Sequence, residues 1–310
     1  KENATDIEEA QTPGTYINST NDQHRQRIRL RVGMKAKLLD PGDTNTGKVT
    51  AGIRLATGSL TNPVSTNYTL GDDTNDNSDI VLDRAYLNWT WKPIEEVWGN
   101  KIPQVSLTGG IMSNPWFSTS LVWDSDLAFE GLSFNFQTDT NDYNPMKGFL
   151  TLGYFPLEES EWTQLDKYML GAQVGFQHRP KYGWDYQIAA AYYNYVNVAA
   201  EPVTGNIRGV EEIRKINRMA PKNMGTKGNT TFDIDQTTAA GSGDTPGLAA
   251  DFKLLNLTAR VDNTLFFPIH VILYGDWVRN LGYDAAEMAA KYAAPATAYT
   301  IEQFSGDTGY

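Results

Sequence analysis

Cysteine is absent from the 310 residues, which excludes disulfide staples, thiolate metal sites and a cysteine nucleophile. Histidine is nearly absent: only His24, His178 and His270 occur, on separate stretches. With no nucleophile elbow and no His-Glu zinc motif beside them, no catalytic set, metal site or cofactor site can be assembled. Positive charge is the minority sign, 26 Lys and Arg against 37 Asp and Glu, and a formal net charge of -11 argues against the basic face that nucleic acid requires. Long apolar runs are missing as well. The most apolar stretch, residues 264–275, is far short of the ~20 residues a helix needs to cross a bilayer, and it contains Pro268 and His270. No signal peptide is visible and the chain opens on Lys1, so a processed or trimmed start is expected.

What is present points to strands. Tyr and Trp are plentiful, at 16 and 8, and Gly, Asn, Asp and Thr recur evenly, as turn residues do in an all-β chain. Mean hydropathy is negative, at -0.45. A membrane protein with that hydropathy and no apolar run has to be a barrel, because half of each strand then faces water.

The strongest local signal runs from Arg25 to Leu38. Arg25, Arg27, Arg29, Arg31, Lys35 and Lys37 fall on one parity, and Ile28, Leu30, Val32, Met34, Ala36 and Leu38 on the other. A period of two is a strand with one wet and one greasy face. A soluble sheet gives the same alternation, but this run exceeds the ~5–6 residues of a usual globular strand, and its polar face is almost wholly cationic. The pattern recurs in 49–56, 84–91, 104–113, 127–138, 148–156, 168–179, 184–197, 252–263 and 267–279, so about ten strands are expected. Two connections hold helical spacing: residues 207–216 within a basic stretch (Arg208, Arg214, Lys215, Arg218, Lys222, Lys227), and residues 285–293, which Asp284 would cap.

The connections themselves alternate. Short ones are read at 40–47, 93–103, 138–147, 180–183 and 264–266, and long ones at 58–78, 114–126, 157–167, 198–251 and 280–307. Short turns at one rim and long loops at the other describe an outer-membrane barrel. Aromatic residues at strand ends, Trp89, Trp91, Trp184, Tyr186 and Phe267 near short turns and Trp116, Phe117, Tyr168, Tyr192 and Trp277 near long loops, fit two interfacial girdles.

On the segments RIRLRVGMKAKL (27–38), AGIRLATGS (51–59), NPVSTNYTLGD (62–72), LDRAYLNW (82–89), SLTGGIMSNPW (106–116), LVWDSDLAFEG (121–131) and GYFPLEE (153–159), the chain resembles the putative porin family of Gram-negative bacterial outer membranes. The resemblance implies an all-β fold, a transmembrane antiparallel β-barrel of about 16 strands when complete. Residues 1–310 would be a single porin domain, partial, starting in an external loop and ending before the closing strands. An unclosed wall is therefore expected. It also implies passive diffusion of small polar solutes or ions through a water-filled lumen, outer-membrane lipid and lipopolysaccharide as surroundings, and a homo-oligomer such as a trimer. The rival readings are an adhesin or scaffold barrel with partner-binding loops, and a soluble β-sandwich that binds carbohydrate.

Within that frame the pore-lining candidates are Arg25, Arg27, Arg29, Arg31, Lys35, Lys37, Arg54, Arg84 and Arg260. Such a basic wall would favour anions weakly despite the net negative charge. The loop 114–126 corresponds to the external loop that folds inward in many general porins, which makes Trp123, Asp124 and Asp126 the constriction candidates. Ile28, Leu30, Val32, Leu87, Trp89, Leu257, Val271 and Leu273 are expected to face lipid, and Arg27, Arg29, Arg31, Tyr86 and Asn256 to face inward.

Overall fold

A computed structural model describes residues 26–42, 46–58, 66–70, 79–92, 103–138, 145–159, 166–180, 183–201, 229–234, 246–264 and 269–292. Arg25, Phe267 and the basic stretch with its expected helix near 207–216 lie outside the described residues. Strands make up most of what is described. They are β1 (Arg27–Ile28), β2 (Arg31–Leu39), β3 (Lys48–Gly58), β4 (Tyr68–Thr69), β5 (Asp79–Trp91), β6 (Pro103–Ser113) and β7 (Ala128–Thr138). There follow β8 (Met146–Glu158), β9 (Lys167–His178), β10 (Trp184–Val196), β11 (Thr231–Asp233), β12 (Pro246–Leu248), β13 (Lys253–Asn263) and β14 (Val271–Asn280). One helix, α1 (Ala285–Tyr292), closes the described part, and the Asp284 carboxylate accepts the Ala286 amide at 2.9 Å, the N-cap expected there.

Ten strands form one sheet in the order β14-β13-β10-β9-β8-β7-β6-β5-β3-β2. Its neighbours run antiparallel wherever sequence-adjacent strands are registered, for example Tyr192 opposite Leu255 and Gly153 opposite Gly171. The sheet is open, with β14 and β2 at its two edges, which meets the expectation of an unclosed wall. The ten strands are 9 to 13 residues long, enough for each to cross a hydrocarbon core that needs ~9–11 tilted residues. Sorting of connection length by parity holds with one exception. The stretch 92–102 after β5 is longer than 159–166 after β8, although the sequence reading made the first short and the second long.

Contacts divide the chain into two units, residues 1–31 with 56–81 and residues 32–55 with 82–310. In the first unit, β1 pairs with β4, Arg27 opposite Thr69 and Ile28 opposite Tyr68. Arg29 Nε donates to Asn67 Oδ1 at 2.8 Å, and Arg31 Nη2 donates to Thr66 Oγ1 at 2.7 Å. The Leu30 amide donates to Thr57 Oγ1 at 3.0 Å. The strand expected to run unbroken from Arg25 to Leu38 is thus interrupted at Arg29–Leu30. Side chains distant in sequence bond this stretch, and Leu30 keeps a backbone bond, its carbonyl accepting the Thr57 amide at 2.9 Å.

In the second unit the sheet has two faces of opposite character. Leu87, Leu107, Leu132, Leu152, Ile188 and Leu257 are exposed on one face, and Val174 and Leu273 reach 61% and 67% exposure. On the other face Thr151, Gln173 and Asn256 are each 1% exposed, and Ser133 and Thr258 are buried with them. A soluble sheet buries its apolar face; this one buries hydroxyls and amides and leaves its leucines and valines uncovered. Each residue expected to face lipid is exposed, and Asn256 is enclosed on the polar face. The parity of β5 changes part-way along. Leu82 is exposed, Asp83 and Arg84 are both buried, and Leu87 and Trp89 are exposed again. Two consecutive residues on one face shift the alternation as a bulge does, and this puts Arg84, Tyr86 and Asn88 on the polar side.

Candidate functional site

The connection between β6 and β7, residues 114–127, lies over the polar face. It begins with an Asn turn: the Asn114 side chain accepts the Trp116 amide and donates to Ser118 Oγ, both at 2.9 Å. That turn sends the Trp116 indole onto β8 and β9, where Gly153 and Gly171 stand opposite one another. Side chains are excluded at both positions: a Cβ on Gly171 would lie 2.5 Å from Trp116 Cζ2, and one on Gly153 2.3 Å from Phe155 Cε2 and 3.0 Å from Trp116 Cη2. The two glycines form a socket. Trp116 meets Phe155 and Tyr193 edge-on, with centroids 6.0 and 5.2 Å away. Trp123, Phe129 and Tyr193 complete an aromatic cluster with centroids 5.0 to 5.3 Å apart.

Polar contacts hold the next residues. Gln173 on β9 makes a two-way amide pair with the backbone of Phe117: its Nε2 donates to the Phe117 carbonyl and its Oε1 accepts the Phe117 amide, both at 2.8 Å. Asp276 on β14 accepts the Thr119 amide at 3.2 Å and the Thr119 hydroxyl. The same carboxylate accepts Asn256 Nδ2 at 3.0 Å and the Thr258 hydroxyl. At the base of the segment, Arg84 is buried and donates to the carbonyls of Met112 and Leu127, at 2.7 and 3.3 Å. Entry and exit of the segment are therefore held by one guanidinium. Replacing Gln173 by Leu removes two hydrogen bonds worth about 0.5–1.5 kcal/mol each. The Phe117 amide should then lose its protection in hydrogen exchange while amides of β3 keep theirs; unchanged protection at Phe117 would show that the pair holds nothing.

The constriction candidates fall within this segment. Trp123 is half-buried in the aromatic cluster. Asp124 is exposed and shapes the return to β7: its carboxylate accepts the Asp126 amide at 2.9 Å and its carbonyl accepts the Leu127 amide at 3.2 Å. Among the described residues, no group of three or more acidic or histidine side chains is placed to hold a metal ion. Trp116, expected in an interfacial girdle, is instead 5% exposed on the polar face, because the glycine socket gives the indole more contact than a strand-end position offers. The sequence reading missed Gln173 and Asp276. Both lie on wet-face parity amid otherwise neutral neighbours, a signal too common to have singled them out.

The cationic candidates are spread along the sheet and mostly paired. Lys35 and Lys37 share the parity of Gly33, whose missing side chain would stand 3.3 Å from Arg54 Cγ. Arg54 Nε pairs with the buried Asp83 carboxylate. Lys37 and Lys48 share Asp40 at 3.6 and 3.4 Å, and Arg260 pairs with Asp262 at 2.7 Å. Three of the candidate cations, Lys37, Arg54 and Arg260, are therefore paired with carboxylates. Arg27, Arg29 and Arg31 belong to the other unit, with the partners given above.

A polar face partly covered by its own connection and an apolar face left bare are the two marks of a strand protein that crosses lipid and encloses water. A family model described as Putative porin matches residues 1–310, the whole chain. The chain belongs to that family. Membership fits strands that cross a membrane and points to a channel rather than an enzyme. No curated protein and no solved structure matches the chain.

Proposed function

We propose that the protein is an outer-membrane porin through which small polar solutes diffuse passively, with the polar face as the wall of a water-filled lumen. The observation that carries this reading is the inverted sheet, with Val174 and Ile188 bare on one side and Gln173 and Asn256 enclosed on the other. Residues 1–310 then form part of a single barrel domain. Its apolar face meets lipid and lipopolysaccharide, and copies associate as oligomers such as trimers. In this reading the segment 114–127, with Trp123, Asp124 and Asp126, narrows the lumen, while Lys35, Lys37, Arg54 and Arg260 line the wall.

The aromatic cluster around Trp116 favours a second reading, a plugged barrel whose loops bind a partner. Planar bilayers separate the two. The full-length protein should produce discrete single-channel steps that scale with salt concentration. Silent bilayers, with protein that still shows heat-modifiable gel migration, would favour the plugged barrel.

A further inference from the structure

The polar face is not uniform along the sheet. On β6 its positions are Gln104, Ser106, Thr108, Gly110 and Met112, and on β7 they are Phe129, Gly131, Ser133, Asn135 and Gln137. None of them is ionisable. The β5 positions that follow the parity change continue the same chemistry, with Asn88 opposite Thr108 and Thr90 opposite Ser106. Cross-strand bonds tie them into ladders: Asn88 Nδ2 donates to Thr108 Oγ1 at 2.8 Å, and Asn135 Nδ2 donates to Thr151 Oγ1 at 2.9 Å. On β8 and β9 the facing Thr151 and Gln173 are 1% exposed, whereas Asn88, Thr90, Gln104, Ser106, Asn135 and Gln137 stay half-exposed. Across β5, β6 and β7 the accessible wall is thus a belt of amides and hydroxyls. On the same face Arg84 is engaged by two carbonyls and Arg54 by Asp83, while Lys92, two residues past Thr90, and Lys147, four residues before Thr151 on β8, stand at the margin of the belt.

We infer that this belt selects for uncharged polyhydroxylated solutes, of the size and chemistry of a sugar, over ions of similar size. The inference rests on the pore reading above and gives that pore its substrate class. Each amide offers both donor and acceptor sites, and each hydroxyl does the same, so the belt can exchange hydrogen bonds with every hydroxyl of a passing polyol as water does. An ion gains nothing comparable. Pores select ions through rings of charged side chains or dense carbonyl dipoles, and a wall without net charge neither concentrates counter-ions nor repels co-ions.

The test uses the full-length protein in liposomes and in planar bilayers. Swelling rates are compared for a neutral hexose, for the gluconate anion and for the glucosamine cation, and reversal potentials are read in a potassium chloride gradient. The hexose should enter several-fold faster than either charged analogue, and the reversal potential should lie close to zero. The double variant N135D/Q137E should keep its conductance, shift the reversal potential towards cation selectivity and lose the hexose advantage. The double variant N135L/Q137L should slow hexose entry while leaving chloride and potassium currents near the parent level. A pore that conducts but admits gluconate or glucosamine as fast as hexose, or that is strongly selective for one ion, overturns the inference and leaves the pore reading standing. Silent bilayers and liposomes that swell in no solute overturn both.

Discussion

Ile53→Arg should destabilise the bilayer-inserted protein by about 2–4 kcal/mol, the cost of placing an arginine at mid-depth on the lipid face of a barrel. Ile53 is the central residue of β3 (Lys48–Gly58) and is 46% exposed on the apolar face. The next residue, Arg54, carries the same guanidinium on the polar face, where Asp83 receives it. The two positions share depth and strand and differ only in face, so the native chain supplies its own control. Asn135→Arg, on the polar face of β7, should cost far less, of the order of the ~1 kcal/mol of one hydrogen bond. Urea titration of the protein folded into lipid vesicles measures both. A soluble β-sandwich predicts the reverse, since replacing an exposed isoleucine by arginine in water changes stability little. Equal stability of Ile53→Arg and the parent would therefore remove the membrane assignment of this face.

Loss of the indole at position 116 should free the segment 114–127 from the polar face. Trp116 is buried in the socket of Gly153 and Gly171, and truncation of such a side chain to alanine costs about 3–5 kcal/mol. The Gln173 and Asp276 contacts that remain are hydrogen bonds, each worth less than the packing they assist. Trp116→Ala should therefore raise single-channel conductance and its noise, with the barrel itself still folded on a gel. Gly171→Ala reaches the same end from the other side, because the new methyl would stand 2.5 Å from the indole and force it out. Gly148→Ala on β8 is the matched control, as nothing lies within 4 Å of a Cβ placed there. If Gly171→Ala and Gly148→Ala give the same conductance as the parent, the socket does not set the width of the pore.

The strands were legible in the sequence because a two-residue period is a property of the chain itself. Leu87 and Trp89 against Tyr86 and Asn88, or Leu257 against Asn256, declare their faces before any partner is known. The cap of α1 by Asp284 was legible for the same reason, since donor and acceptor are two residues apart. Open edges at β2 and β14 were expected from the resemblance to a barrel of about 16 strands, of which about ten can be read. The break at Arg29–Leu30 and the parity change at Asp83–Arg84 were not legible. Each depends on partners far along the chain, such as Thr57 and Asn67 for the first.

Three-dimensional contacts alone decided what the polar face does. Trp116 reads as one more strand-end aromatic until β8 and β9 set Gly153 opposite Gly171 and leave room for an indole. Asp276 reads as one more wet-face carboxylate until Thr119, 157 residues away in sequence, donates to it. Arg54 reads as one more open cation of a basic wall until Asp83, 29 residues away in sequence, meets it. Alternation assigns a residue to a face by local geometry alone. The neighbours it meets there, and so whether its charge is open to a solute or already answered, are set by strand register and by a connection folded back across the sheet, neither of which is encoded in any short stretch of sequence.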